Sequence, residues 1–379
     1  MNRLPGLDLL RALAVTWVML FHSFLVGGLG DDFAWLSRFG WAGVDMFFVL
    51  SGFLIGTQWL KPLAAGEAPR FRAFYARRAW RVLPAFLVVL AVYVAFPAWR
   101  EAPGLQPWWQ FATFTVNLLI DYARHPAFSH AWSLCVEEHF YLLFPLLAWG
   151  LARRRSVVLT VSLCAGLAMA GVALRTGIWL HDDATSPDRA WYVEDLYYPT
   201  WTRLDGLLAG VVLALIKVYR PQHWARLMAR PAAALLLGVT LITAALWLFR
   251  DRTGLPANAV GWPLLSAGMA GLLVAAASPR SGIGRWSLPS VGWVATLSYS
   301  LYLSHKLVMH AVDQALPTSV NGGWRFVAHG VAILAGGAAL HYLVERPGLK
   351  YRDRTSAATA TATATASAGA TARSARSAA

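Results

Sequence analysis

Charge is what this chain has least of. Asp, Glu, Lys and Arg make up 14% of its 379 residues, where a soluble domain carries nearer a quarter. With 57% hydrophobic residues and a mean hydropathy of +0.48, an ordinary water-exposed globular domain is excluded. Cysteine is nearly missing as well. Cys135 and Cys164 give neither a metal-ligand spacing nor a disulfide framework. Both lie in or beside apolar segments, where cysteine acts as a small buried hydrophobe, so no metal site is expected. Ten-residue segments of alternating polarity, the mark of a membrane β-barrel, are absent. An internal repeat, the signature of many transporters, is absent by eye. The first apolar run has no basic stretch before it beyond Arg3, no small-residue cleavage site, and charges in its core, so it reads as a retained helix and not as a signal peptide.

What the chain does have is a series of apolar runs of about 17 to 23 residues, long enough to cross a bilayer as helices. Lipid offers backbone groups no partner, which selects helices. The expected fold is all-α: a polytopic integral membrane protein of about ten transmembrane helices with no appended soluble domain. The spans fall near 7–29, 42–60, 82–99, 136–152, 156–175, 200–217, 231–249, 259–277, 291–315 and 324–344. A further apolar piece, 108–120, is too short to cross and is expected at the interface or re-entering. The net charge of +14 gathers in alternate loops: Lys61 to Arg81, Arg153 to Arg155, Lys217 to Arg230, Arg280 and Arg285, and Arg346 to Arg354. That is a topology signal with both termini cytoplasmic, not a nucleic-acid surface. The acids Asp31, Asp32, Glu101, Asp121, Asp182, Asp183, Asp188, Glu194, Asp195 and Asp251 fall in the opposite loops. Residues 351–379 are Ala/Thr/Ser repeats without apolar periodicity, expected to be a disordered tail.

Ionisable residues at membrane depth are costly and mark function by default. His22 lies in the first run with Arg11 on the same helical face, about three turns or 16 Å away. Asp8 and Arg11 are neighbours at i, i+3. The plain alternative for His22 is a packed histidine bonded across helices. Asp45, in GVDMFFVLSGFLIG, enters at the level of His22 and could orient its imidazole, or simply complement the first turn of its helix. Arg77, Arg78 and Arg81 sit in the basic, aromatic run FRAFYARRAWRVLPAF. Arg78 and Arg81 share a face, and guanidinium forks suit phosphate oxygens; the same run is also an orientation signal that meets anionic lipid. Glu137 and Glu138 enter the fourth span about 100° apart, which turns one of them inward. Arg203 and Asp205 enter the sixth span, and His305 and Lys306 lie in the ninth. Any one of these could be interhelical glue, but polar groups entering from one side in five helices point to a shared site.

Taken in order, the blocks GLDLLRALAVTWVMLFH, GVDMFFVLSGFLI, FYARRAWRVLPAF, WSLCVEEHFYLLFP, RLDGLLAG, SYSLYLSH and VERP resemble the acyltransferase 3 family of membrane acyltransferases, which includes O-antigen and other cell-surface acetylases. The resemblance covers roughly 5–350 and makes residues 1–350 one acyltransferase domain. It implies transfer of an acyl group, commonly acetyl, from acyl-CoA to a hydroxyl, often on a glycan. The setting it implies is a bacterial inner membrane. No cofactor is bound permanently; acyl-CoA is a co-substrate. The resemblance assigns function to Arg11 and His22, places Arg78 and Arg81 at the CoA end, and marks Asp45, Glu137, His305 and Glu345. Relatives often carry an extra soluble hydrolase-like domain, so this chain is expected to complete transfer alone or with a separate protein.

The expected chemistry has Arg78 and Arg81 holding the CoA phosphates and His22, tuned by Asp45, taking the acceptor proton. Arg11, Arg203 or Lys306 would stabilise the oxyanion. A proton-coupled exporter of a lipid or glycan is the rival reading, since it too would bury His, Asp and Arg. A structural scaffold is a third, disfavoured by the cost of those charges.

Overall fold

The computed structural model describes residues 4–23, 34–152, 156–185, 189–317, 319–320 and 322–354. Among these, the chain is helical with no strand. Ten helices of 15 residues or more follow the apolar runs: α1 (Pro5–His22), α2 (Gly43–Ala64), α3 (Phe71–Ala95), α4 (Trp132–Ala152), α5 (Val157–Thr185), α6 (Asp205–Tyr219), α7 (Pro231–Leu248), α8 (Trp262–Ala277), α9 (Pro289–Ala315) and α10 (Gly322–Leu340). Helix α10 runs on through a π-turn, His341–Glu345, to residue 354. Seven of the ten are long and apolar enough to cross a membrane. The exceptions are α1, α6 and α9. Helix α6 spans 15 residues, about 22 Å of rise. Helices α1 and α9 carry polar groups, among them Asp8, Arg11 and His22 in α1 and His305 and Lys306 in α9.

Several boundaries differ from the sequence reading, among them the end of α5, which runs to Thr185 where the fifth span was expected to stop at 175. The basic run 71–81 was expected in a loop, yet it forms the first turns of α3. Arginine is a good helix former, and its long stem lets the head reach polar surroundings. The piece 108–120 is a short helix, Trp108–Ala112, followed by turns. One side of it is anchored in the protein, where Phe111 and Asn117 are fully buried, while Trp108, Trp109 and Leu119 are exposed; Asn117 Nδ2 bonds Tyr198 O and Thr200 Oγ1. Irregular backbone away from water needs such protein partners. Residues 351–354, expected in the disordered tail, are helical; the rest of that tail, the loop arginines 153–155, the acids at 31, 32 and 188, and the end of the first span lie outside the described residues.

Helices α2 and α6 approach backbone to backbone. A Cβ on Gly52 would sit 2.1 Å from Leu207 O, and one on Gly210 2.3 Å from Val49 O. Small residues permit this closeness, and it sets Asp45, in the first turn of α2, against Arg203, two residues ahead of α6. Helix α1 packs on α9 in the same direction, so Asp8 and Arg11 lie near Thr296 and Tyr299 around one cavity, and His22 meets His305 near the other end.

Candidate active site

The charged residues gather at two levels of the bundle. Toward the end that carries the basic loops, a cavity of about 630 Å³ opens between α1, α2, α3, α4 and α9. Arg11, Arg78, Arg81 and Glu137 all line it. Arg11 NH1 pairs with Asp8 at 3.4 Å. Arg81 NH1 pairs with Glu345 Oε1 at 2.5 Å, and Glu345 Oε2 also accepts Ser300 Oγ at 2.7 Å and His341 Nδ1 at 2.8 Å. The π-turn at the end of α10 is what aims Glu345 inward, where it is almost fully buried.

Arg78 differs from its neighbours. Its NH2 bonds the neutral amide Oε1 of Gln58 at 3.2 Å, and its guanidinium lies 5.6 Å from the Tyr141 ring centre. Its Nε is buried without a hydrogen-bond partner. No carboxylate pairs with it among the described residues. Glu137 accepts the Tyr141 hydroxyl at 2.5 Å, and Ser51 Oγ lies 3.0 Å from the same phenol oxygen. Glu138 was expected to turn away from Glu137, yet both line the cavity, because the cavity wraps around more than one face of α4. Arg77 does not line it; one residue before Arg78, it is turned about 100° away.

The second cluster contains the histidines. His305 Nδ1 lies 2.7 Å from Tyr302 O and 3.2 Å from Leu301 O. Carbonyls only accept, so Nδ1 carries the proton and the neutral ring keeps its lone pair on Nε2. That Nε2 lies 3.0 Å from His22 Nδ1. In the neutral pair His22 Nδ1–H is therefore the donor, and His22 keeps a lone pair on Nε2. A third imidazole, His130, stands with its ring centre 5.0 Å from that of His305 and 6.3 Å from that of His22. Lys306 Nζ lies 3.5 Å from Glu101 Oε1 and 3.3 Å from Ser129 Oγ. The two clusters adjoin through Tyr302 and Ser133. These line the cavity, lie 2.6 Å apart, and Tyr302 donates to His130 O at 2.9 Å.

Asp45 is not the partner of His22. Its Oδ1 accepts from Arg203 NH2 at 2.8 Å, and its Oδ2 has no hydrogen-bond partner. Arg203 is enclosed by the rings of Trp262, Tyr197 and Trp132, at 3.8, 4.5 and 5.0 Å, and neither residue lines the cavity. The close α2–α6 packing commits Asp45 to Arg203. Asp205 is likewise held elsewhere, by Arg175 through bonds of 2.7 and 3.2 Å. Arg175 is fully buried and also donates to Thr202 O and Asn258 O. His22 is thus oriented by the imidazole of His305 and the backbone of Val18, not by Asp45.

Sequence reading passed over Arg175, His130, Tyr302 and His341, and took Glu101 for a loop acid. Arg175 had a signal, a lone arginine in an apolar run. His130 and Glu101 had none, because they flank a connection that only the fold brings back to α9.

Residues 4–342 match the family model described as an acyltransferase domain. The chain is 27% identical to a peptidoglycan O-acetyltransferase of Listeria monocytogenes over 354 residues, 85% of this chain and 52% of that protein. It is 32% identical to an O-acetyltransferase of Staphylococcus aureus over 230 residues, 56% of this chain and 34% of that protein. The chain thus spans about half the length of the first relative and about a third of the second. No solved structure matches.

Proposed function

The chain belongs to the acyltransferase family, and on that premise we propose that it is a membrane-embedded O-acyltransferase that moves an acetyl group from acetyl-CoA to a hydroxyl of a cell-surface glycan. The relatives named for O-acetyl transfer, one of them to peptidoglycan, support this acceptor class. In this reading ten helices cross the membrane and the basic loops face the cytoplasm. The observation that carries the donor assignment is Arg78: a guanidinium in a cavity that also holds Glu137 and Glu138 but forms no direct ion pair with either, with a buried Nε that lacks an acceptor. Burying such a donor is costly unless a ligand completes it, and phosphate oxygens match the guanidinium fork.

The phosphates of CoA dock at Arg78, with Arg11 and Arg81 adding to the positive field. The long arm rises along the cavity past Tyr302 and Ser133 and presents the thioester to the histidine cluster. His22 Nε2 takes the proton of the acceptor hydroxyl as its oxygen forms a bond to the thioester carbon. His305 Nε2 accepts the His22 Nδ1–H and steadies the imidazolium, as a carboxylate does in a Ser-His-Asp triad. The carbon–sulfur bond then breaks, and the CoA thiolate takes the proton from His22. One proton and one acetyl group have exchanged places, with no oxidant or reductant.

The test is thermal unfolding of purified protein in detergent, with and without acetyl-CoA, for wild type and Arg78→Gln. A ligand at 100 times its Kd stabilises a fold by about 2.7 kcal/mol. Wild type should show a shift of that order and Arg78→Gln should lose most of it. Folded wild type that does not respond to acetyl-CoA would give the exporter reading precedence.

A further inference from the structure

His130 is nearly fully buried, yet one of its two nitrogens is unused. Its Nε2 lies 3.3 Å from Leu303 O, a carbonyl that can only accept. The ring is therefore the Nε2–H tautomer when neutral, with the lone pair on Nδ1. Nδ1 has no hydrogen-bond partner. A buried carboxylate is linked to the same segment through Lys306. Glu101 uses Oε1 on Lys306 and on the backbone N–H of Phe128, 3.0 Å away, and the buried hydroxyl of Tyr93 also faces this carboxylate. Lys306 joins the two, because its Nζ also reaches Ser129 Oγ, the residue before His130.

The chain takes trouble to put His130 there. Phe128 has φ 56°, a left-handed conformation that is unfavourable for a bulky side chain. It is held by the Glu101 bond and by stacking on Tyr93 at 4.3 Å, and it turns the backbone so that Ser129 and His130 point at Lys306 and His305. A buried acceptor without a donor, its ring centre 5.0 Å from that of His305, suits a ligand that brings an O–H group.

We propose that His130 Nδ1 accepts a hydrogen bond from a hydroxyl of the acceptor glycan, so that it holds the sugar while His22 takes the proton of the oxygen that attacks. The inference rests on the O-acyltransferase reading, and it makes His130 a substrate-binding residue on the acceptor side alone. The donor cavity is not lined by His130.

The two nitrogens of a histidine can be replaced separately. Asparagine puts an amide oxygen near the Nδ1 position, and glutamine puts an amide nitrogen near the Nε2 position. His130→Gln keeps the bond to Leu303 O and removes the acceptor; His130→Asn does the reverse. The assay is CoA release from acetyl-CoA in proteoliposomes, with a β-1,4-linked N-acetylglucosamine oligomer as acceptor probe, alongside the acetyl-CoA thermal shift. His130→Gln should keep the shift and the KM for acetyl-CoA, and lose about tenfold or more in kcat/KM for the oligomer. His130→Asn should retain most of it. Normal turnover in His130→Gln with loss in His130→Asn would reduce His130 to a tether for Leu303 and overturn the inference. Loss of the acetyl-CoA shift in both variants would also overturn it, as a folding effect. If wild type shows neither shift nor CoA release, it is the O-acyltransferase reading itself that fails.

Discussion

Arg175 and Asp205 offer the sharpest test of which buried charges are structural. Arg175 is fully buried and makes four bonds: two to Asp205, one to Thr202 O at 2.7 Å and one to Asn258 O at 2.8 Å. These tie α5 to the start of α6 and to the turn ahead of α8. In Arg175→Leu the Asp205 carboxylate loses its counter-charge and two carbonyls lose a donor. Breaking a buried pair from one side costs about 3–5 kcal/mol, so this variant should lie at the upper end of that range. In Asp205→Leu the guanidinium keeps both carbonyls as partial compensation, and the loss should lie at the lower end. The double leucine variant leaves no uncompensated charge, only two carbonyls short of a donor at about 1–3 kcal/mol each. The two single losses should therefore exceed the double loss by several kcal/mol. Reversible unfolding in detergent, with mutant cycles, measures this coupling. Neither residue lines the donor cavity, so every variant that folds should keep the acetyl-CoA shift. Additive losses in the cycle would refute the pairing, and loss of the shift would refute the separation of this pair from the donor site.

The remaining predictions concern packing and the imidazole pair. Gly210→Leu places a side chain where a Cβ alone would be 2.3 Å from Val49 O and 2.6 Å from Phe53 N. Both are backbone atoms that cannot swing aside, so destabilisation of about 3 kcal/mol or more is expected, read as a fall in Tm; an unchanged Tm would mean that α2 and α6 are further apart than described. His305→Ala removes the acceptor that fixes the His22 ring. It should lower kcat by about 10²–10⁴-fold with little change in the acetyl-CoA shift, and near-normal CoA release would show that His22 needs no orienting partner.

Much of the fold was legible because membrane helices announce themselves. Apolar length places each run, and the alternation of basic loops orders them. The arginines of the cavity were legible for a local reason. Arg78 and Arg81 stand at i, i+3, so helical geometry alone puts them on one face, and Arg77 fell away by the same rule. Asp45 was misassigned because nothing in GVDMFFVL reveals its partner. That depends on Gly52 and Gly210 letting α2 and α6 touch, and on Arg203 arriving 158 residues later. The acceptor side was hidden more completely. His130 and Glu101 belong to the irregular connection between α3 and α4, where no periodicity exists, and Phe128 reaches its left-handed turn through tertiary stacking.

Pairing is what separates the structural charges from the functional ones. A buried ion is expensive, and the cheapest way to keep it is to cancel it. Arg203 is cancelled by Asp45, Arg175 by Asp205, Arg81 by Glu345 and Lys306 by Glu101. Each pair joins segments distant in sequence, which suffices to explain its presence without chemistry. Arg78 and His130 Nδ1 are left over in a different sense: each is buried polar capacity that the protein does not itself satisfy, as are Asp45 Oδ2 and Arg252 Nε, but Arg78 lines the cavity and His130 adjoins the imidazole pair. The first is a donor and cation at the basic end; the second is an acceptor beside the His22–His305 pair. An anionic phosphate ligand would complete the first and a hydroxylated ligand the second. The complementarity of these unmet groups, cation at one level and acceptor at the other, is the physical ground for reading the bundle as a place where a phosphate-bearing donor meets a hydroxyl.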